Sequence, residues 1–293
     1  MEKVRTTEKV RTTVGELLTY GYERLKLKDI GSYKLDTELI LGKVLNKDRL
    51  FLFINRDYEM DSEEIKKYYK LLNLREKRVP VKYLLEECEF MGLNFYIREG
   101  VLIPRPDTEI LVEKAIEKIR ENKFIKVCDV CCGSGVIGVS IAKFIENVKV
   151  TCCDKFVDAC EVTRENIKRF SLENKVALVR SDLLQSFILE GEKFDIIVSN
   201  PPYIREDVIP TLMKDVKDYE PYDALCGGKD GLKFYRKIVA QSIGLLNKGG
   251  MIMFEIGYDQ REAVENILME NGFYDIGSVK DLAGRDRVVF GRF

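Results

Sequence analysis

Residues 194–203 read FDIIVSNPPY, an apolar run that ends in an amide side chain, two prolines and a tyrosine. Phe194–Val198 has the unbroken apolar character of a strand covered on both faces. Pro201 and Pro202 have no N–H for a sheet ladder, and each biases its predecessor toward extended backbone. Asn200, Pro201, Pro202 and Tyr203 therefore stiffen the chain where a strand leaves a sheet, the ligand side of an open α/β fold. Taken alone, the same residues also fit a rigid turn without a ligand. A second stretch, VCDVCCGSGVIGVSIA at 127–142, carries Gly133, Gly135 and Gly138 as a literal G-x-G-x-x-G, a dinucleotide fingerprint. Residues without a Cβ let the backbone approach a ligand at a helix N-terminus. Asp154 closes the next apolar run about 20 residues later, where a carboxylate can accept both hydroxyls of a ribose. A plain helix cap is the other reading of Asp154.

These residues need elements to hold them. From about residue 107 the chain alternates: a helix from Asp107 as its cap, strand FIKVCDV, helix 136–146, strand VKVTCCD, helix 157–169, strand KVALVRSD and the strand of 194–198. A polar loop, helix 231–247, strand MIMFEIG, helix 259–271 and strand DRVVFGRF follow. Alternation of this kind predicts a mainly parallel, doubly wound sheet. Its first strand ends at the glycine turn, its second at Asp154, its third in RSDL with Asp182, and its fourth at Asn200. Up to residue 85 the pattern is helical with no convincing strand: VGELLTYGYERLKL and DTELILGKVL space apolar residues by three and four, and DSEEIKKYYKLLNLREKR opens on an acidic capping box. Residues 86–106 alternate apolar and polar around Gly92 and Gly100, as a short hairpin does, before Pro104 and Pro106. The expected organisation is a helical domain at 1–85, a hairpin linker at 86–106 and an α/β domain at 107–293. The direct repeat EKVRTT at 2–7 and 8–13 is too short for a solenoid unit and reads as a solvated or added extension.

Composition narrows the chemistry. Forty-eight basic residues meet 49 acidic ones, for a formal charge of −1, which does not favour gripping nucleic acid through its phosphates. Histidine is absent, which removes Ser-His-Asp and Cys-His machinery, histidine bases and every His-containing metal site. Of the eight cysteines, Cys128 and Cys131 form a C-x-x-C and Cys152–Cys153 could be a second half-site, for zinc or a redox pair. Cys128, Cys152 and Cys153 fall inside expected strands, however, where a free thiol packs as a small apolar group. No apolar run reaches 18 residues and the N-terminus has no apolar core of a signal peptide, so a cytoplasmic protein with no membrane partner is expected.

The glycine turn has a second frame. Asp129 followed by Cys131, Gly133 and Gly135 at alternate positions resembles the D-x-G-x-G-x-G turn of class I S-adenosylmethionine (AdoMet) methyltransferases, with Cys131 in place of the first glycine. Acids after strands two and three, with NPPY after strand four, fit a methyltransferase better than a nicotinamide oxidoreductase. Asn200-Pro201-Pro202-Tyr203 matches the (D/N)PP(Y/F) motif of enzymes that methylate planar, conjugated nitrogens. VLIPRPDTEILVE (101–113) resembles the hallmark of the PrmC/HemK family, the glutamine methyltransferases of peptide chain release factors. PVKYLLEECEFMGLNFYI, EPYDALCGGKDGLKFYRKI, FEIGYDQ and DLAGRDRVVFGR are also similar, so the resemblance runs from about residue 14 to the C-terminus.

The resemblance implies a Rossmann-like class I methyltransferase sheet whose last strand is antiparallel, beside a small helical domain that recognises substrate. It implies AdoMet as cofactor, no metal, and transfer of methyl to a glutamine amide of the GGQ motif in release factors, without direct nucleic-acid binding. Cofactor contacts are expected from Asp129, Cys131, Cys132, Gly133, Ser134, Gly135, Asp154, Asp182, Leu183 and Asn200, with Asp182 toward the adenine amino group. Catalysis and substrate binding are expected from Asn200, Pro201, Pro202 and Tyr203. The Asn200 side-chain oxygen and the Pro201 carbonyl would each accept one N–H of the glutamine amide, and the Tyr203 ring would lie against that amide. Methylation of a ribosomal-protein glutamine or of a nucleic-acid base are the alternatives. Arg105 is read either as a surface arginine paired with an acid or as a residue that orders the loops over the ligand.

Overall fold

In a computed structural model, which describes residues 12–293, the chain divides after Leu85 into two compact units. Most of the EKVRTT repeat lies outside the described residues. The smaller unit holds β1 (Thr12–Thr13), α1 (Val14–Leu27), α2 (Tyr33–Leu45), α3 (Arg49–Ile54), β2 (Glu59–Met60), α4 (Ser62–Glu76) and α5 (Val81–Leu85). Thr13 and Asp61 each cap their helix through a reciprocal box with Glu16 and Glu64. The apolar stripes of α1, α2 and α4 meet in a core of Leu17, Leu18, Leu25, Ile40, Leu41, Tyr68 and Leu72. The two-residue β1–β2 ladder, Thr12 opposite Met60 and Thr13 opposite Glu59, departs from the strandless expectation. Two residues are too few to leave a period-2 pattern.

The larger unit begins with the hairpin β3 (Glu87–Phe90) and β4 (Leu93–Tyr96), which belongs to it. Next come α6 (Thr108–Asn122), β5 (Lys126–Val130), α7 (Val136–Phe144), β6 (Lys149–Asp154), α8 (Val157–Arg169), β7 (Val176–Arg180), α9 (Gln185–Glu190) and β8 (Phe194–Ser199). Short α10 (Lys214–Lys217) and α11 (Tyr222–Leu225) interrupt the loop after β8. The unit ends with α12 (Lys233–Ser242), β9 (Leu246–Glu255), α13 (Arg261–Glu270), β10 (Tyr274–Lys280) and β11 (Asp286–Arg292). The seven-stranded sheet has the order β10-β11-β9-β8-β5-β6-β7. Strands β5 to β9 pair in parallel, and β11 is antiparallel to β9 and β10. This is the mostly parallel class I methyltransferase arrangement with an antiparallel closing strand.

Buried clusters cover both faces of the sheet, one under α6 and α7 and one under α12 and α13. Because β6 and β8 flank β5 on opposite sides, strand order reverses there and opens a crevice at the carboxyl ends of β5 and β8. One strand escaped the sequence reading: β10 is an edge strand, mostly half-exposed, with Asp275 and Gly277 blurring its alternation. Asp107 also differs from expectation. It stands at the cap of α6 with helical backbone angles and makes no side-chain capping bond. Its carboxylate instead pairs with the Arg287 guanidinium at 3.0 Å, since a charged partner outcompetes a surface amide.

Candidate active site

At the carboxyl ends of β5 to β8 lies a cavity of about 520 Å³. The turn after β5 supplies Cys131, Cys132, Gly133 and Ser134, the end of β6 supplies Asp154, the end of β7 supplies Asp182 and Leu183, and the end of β8 supplies Asn200 and Pro202. Segment 99–108 and the loop around Tyr219–Ala224 line other walls, with Lys233, Phe234 and Lys237 of α12.

The turn after β5 is built by backbone geometry. Cys131, Gly133 and Gly135 have φ of +60°, +56° and +79°. Left-handed backbone costs a side-chain-bearing residue roughly 1–2 kcal/mol, so Cys131 holds a conformation that glycine would adopt freely. A Cβ on Gly133 would meet only Val101 Cγ1 at 4.0 Å, which leaves the cavity face of that residue open. A Cβ on Gly135 would strike Thr163 Cγ2 at 2.9 Å. Gly135 is thus required by the close approach of α8, and it does not line the cavity.

Two of the acids divide the work differently than expected. Asp154 is 8 % exposed and lines the cavity. Its Oδ2 accepts the Gly133 N–H at 3.0 Å and its Oδ1 accepts the Phe156 N–H at 3.0 Å. It therefore caps the turn before α8 and also faces the ligand side, and burial pushes its carboxyl upward. Asp129, an expected cofactor contact, does not line the cavity. It is fully buried behind the turn, where its Oδ2 accepts the Gly138 N–H at 2.8 Å and its Oδ1 has no partner. Burial raises its pKa to about 7. Its role is to anchor the start of α7. Asp182 lines the cavity and pairs with Lys155 at 3.2 Å.

The turn after β8 is held from below. Ser199 Oγ donates to the Val130 carbonyl of the neighbouring strand at 2.5 Å. Asn200 Nδ2 donates to Thr108 Oγ1 at 3.3 Å, and Thr108 Oγ1 donates to Glu255 Oε2 at 2.6 Å. Pro201 is buried between two lining residues and does not itself line the cavity. Tyr203 is not placed as expected. Its hydroxyl donates to Glu255 Oε1 at 3.3 Å and its ring packs on the core beside α12 and β9, away from the cavity lining. Burial first, then the Glu255 charge, raises its pKa. Tyr203 is a strut for the turn, and its backbone carbonyl accepts from Gln260 Nε2 at 2.9 Å.

Arg105 lines the cavity and pairs with Glu220, whose side chain is 1 % exposed. Glu220 Oε2 also accepts the Ile103 N–H at 3.2 Å. The pair ties the proline-stiffened segment to the loop at 219–224. Sequence reasoning missed Thr108 and Glu255, although both lay inside quoted stretches. Cys128, Cys152 and Cys153 are fully buried as apolar fillers of β5 and β6, their thiol pKa values raised: Cys128 chiefly by burial, Cys153 by its bond to Cys128 and then burial, and Cys152 by burial against the opposing, larger pull of its bond to Cys132 and with the added charge of Asp129.

The PrmC N-terminal domain family matches residues 16–85, and the methyltransferase small domain family matches residues 106–215. The release factor glutamine methyltransferase of Clostridium botulinum is 55% identical over 277 residues, covering 94% of this chain and 98% of that protein. Its counterpart in Clostridium acetobutylicum is 51% identical over 276 residues, covering 94% of this chain and 97% of that protein. Among solved structures, the T. thermophilus 16S rRNA N2 G1207 methyltransferase, in complex with AdoMet and guanosine, superposes with a TM-score of 0.50 at 18% identity. It covers 70% of this chain and 49% of its own, a likeness of fold.

Proposed function

The chain belongs to the release factor glutamine methyltransferase family, and we propose that it methylates the side-chain amide nitrogen of a glutamine, that of the GGQ motif, in peptide chain release factors. The observation that carries this reading is the Asn200 amide. Its NH₂ end donates to Thr108 Oγ1 at 3.3 Å, which leaves the carbonyl oxygen of this cavity-lining residue as the acceptor available to a ligand.

The residues present fit AdoMet. Gly133 offers backbone with an open face, Asp154 offers a buried carboxylate for the ribose, Asp182 an acceptor for the adenine amino group, and Leu183, Val136 and Phe156 apolar walls. When bound, AdoMet supplies an electrophilic methyl group on a positively charged sulfur. Asp129 and Gly135 support the turn from behind, and Cys131, Cys132, Gly133 and Ser134 form its cavity face.

A glutamine amide nitrogen is a weak nucleophile because its lone pair is delocalised into the carbonyl. The Asn200 oxygen accepts one of its N–H groups, whereas Pro201, whose carbonyl was the acceptor expected for the other, lies behind the cavity lining and supports the turn. That acceptor orients the amide and stabilises positive charge as it develops on nitrogen. Pro201 and Pro202 hold that geometry with little entropy left to lose on binding. No histidine base is needed before attack. The helical unit, residues 14–85, recognises the protein substrate, and Arg105 with Glu220 orders the loops at the cavity. A cytoplasmic location accords with this substrate, and among the described residues no helix is long and apolar enough to cross a membrane.

The test is incubation of the protein with AdoMet carrying a labelled methyl group and a bacterial extract, then with purified release factor. Label that is removed by protease, resists nuclease and maps to the release-factor glutamine supports the reading. Label in a ribosomal protein or in nucleic acid would replace it.

A further inference from the structure

Thr108 and Glu255 lie 147 residues apart in sequence, yet they meet beneath Asn200 at the ends of α6 and β9. Both are almost wholly buried, at 2 % and 1 % exposure. Glu255 accepts from two hydroxyls, Thr108 on Oε2 at 2.6 Å and Tyr203 on Oε1 at 3.3 Å. We infer that Thr108 and Glu255 are positioning residues that decide which end of the Asn200 amide faces the substrate. This rests on the glutamine-amide reading above.

A threonine hydroxyl has one proton to donate and lone pairs to accept with. The short bond to the Glu255 carboxylate takes that proton, so toward Asn200 the Thr108 oxygen can only accept. It accepts from Nδ2 at 3.3 Å, which leaves Oδ1 as the end presented to the cavity. An asparagine turned the other way would set its NH₂ against the NH₂ of the substrate glutamine, donor against donor. The relay thus enforces acceptor polarity at the one side chain whose two ends are nearly the same shape.

The charge state of Glu255 matters for the same reason. The groups facing it are the Thr108 and Tyr203 hydroxyls, the Arg287 guanidinium and the Asp107 carboxylate, while the Tyr235 hydroxyl donates to its backbone carbonyl at 3.0 Å. Burial, the largest influence, raises its pKa to about 7. Once protonated it can donate to Thr108, freeing the threonine proton to bond Asn200 Oδ1 and turn the amide round.

The test compares wild type, Thr108→Val, Thr108→Ser and Glu255→Met, reading single-turnover methylation of release factor and AdoMet affinity by calorimetry. The Asn200 side-chain NH₂ resonances are assigned by their loss in Asn200→Ala. In Thr108→Val and Glu255→Met the methylation rate should fall at least about tenfold, the worth of about one hydrogen bond, with AdoMet affinity nearly unchanged. Thr108→Ser should stay near wild type, and the Asn200 NH₂ protons should lose exchange protection only in the two impaired variants. The wild-type rate should decline as pH falls through about 7, and that limb should vanish in Glu255→Met. Should Thr108→Val fail to fold, Glu255→Met, close in length to the native residue and without an acceptor for the threonine proton, carries the same test. Wild-type rates in Glu255→Met, equal damage in Thr108→Ser and Thr108→Val, or a parallel loss of AdoMet affinity would each overturn the inference. A wild-type enzyme that does not methylate release factor would overturn the underlying reading instead.

Discussion

Replacing Asp154 with alanine separates two jobs that the structure assigns to one carboxylate. On its buried side the group accepts the Gly133 and Phe156 amides, each at 3.0 Å. On its cavity side it is the acceptor available to a ribose. Deleting it leaves two amide donors short of a partner, at about 1–3 kcal/mol for each that water cannot reach. It also removes bonds to the ribose hydroxyls, each charge-assisted and worth about 1.5–3 kcal/mol. Even one such bond at the low end corresponds to a little over tenfold in Kd, and two correspond to about 100-fold or more. Titration calorimetry with AdoMet should therefore show at least a tenfold weaker Kd, together with a lowered Tm. Asp182→Ala, which removes a half-exposed acid paired with Lys155, should weaken AdoMet by only a few-fold and leave Tm alone. An Asp154→Ala protein with lowered Tm and wild-type AdoMet affinity would refute the reasoning, and Asp154 would then be only a clamp for the turn.

Arg105→Ala should raise the KM for release factor or AdoMet several-fold and lower Tm by a few degrees, because it leaves the Glu220 carboxylate buried with the Ile103 amide as its remaining bond; wild-type kinetics would reduce the pair to a structural brace. Asp129, raised from 3.8 to about 7 by burial, binds its proton more tightly folded than unfolded. Its contribution to stability is thus complete below about pH 4 and lost as pH rises through about 7. Asp129→Asn should flatten that part of the Tm-against-pH curve, and an unchanged curve would contradict the assignment. A protein beginning at residue 86 should bind AdoMet near wild-type affinity but methylate intact release factor poorly, and full activity would remove the recognition role from the helical unit.

The strand ends that carry the site were legible because their residue types are chemically unusual where they occur. A proline pair after an apolar run, glycines after another and an acid after a third all mark places where a sheet stops and a ligand side begins. Which way each side chain points was not legible. Asp129 and Asp154 both flank the same turn, yet one lies behind it and the other faces the cavity, a difference set by the tertiary path of α7 and α8. Asp107 reads as a helix cap from its neighbours alone, and only the fold brings Arg287 to it. Thr108 and Glu255 follow the same rule, since no local pattern couples residues 147 apart. Tyr203 was rightly placed on the turn and wrongly aimed, because the acid that takes its hydroxyl arrives from the end of β9.

The most direct test of the central claim, that the turn after β8 is an amide template, is the single-turnover rate of Asn200→Ala on release factor measured beside its AdoMet Kd. The account predicts a methylation rate lower by orders of magnitude with an AdoMet affinity changed only modestly. A rate that survives, or a rate and an affinity that fall together, would contradict it.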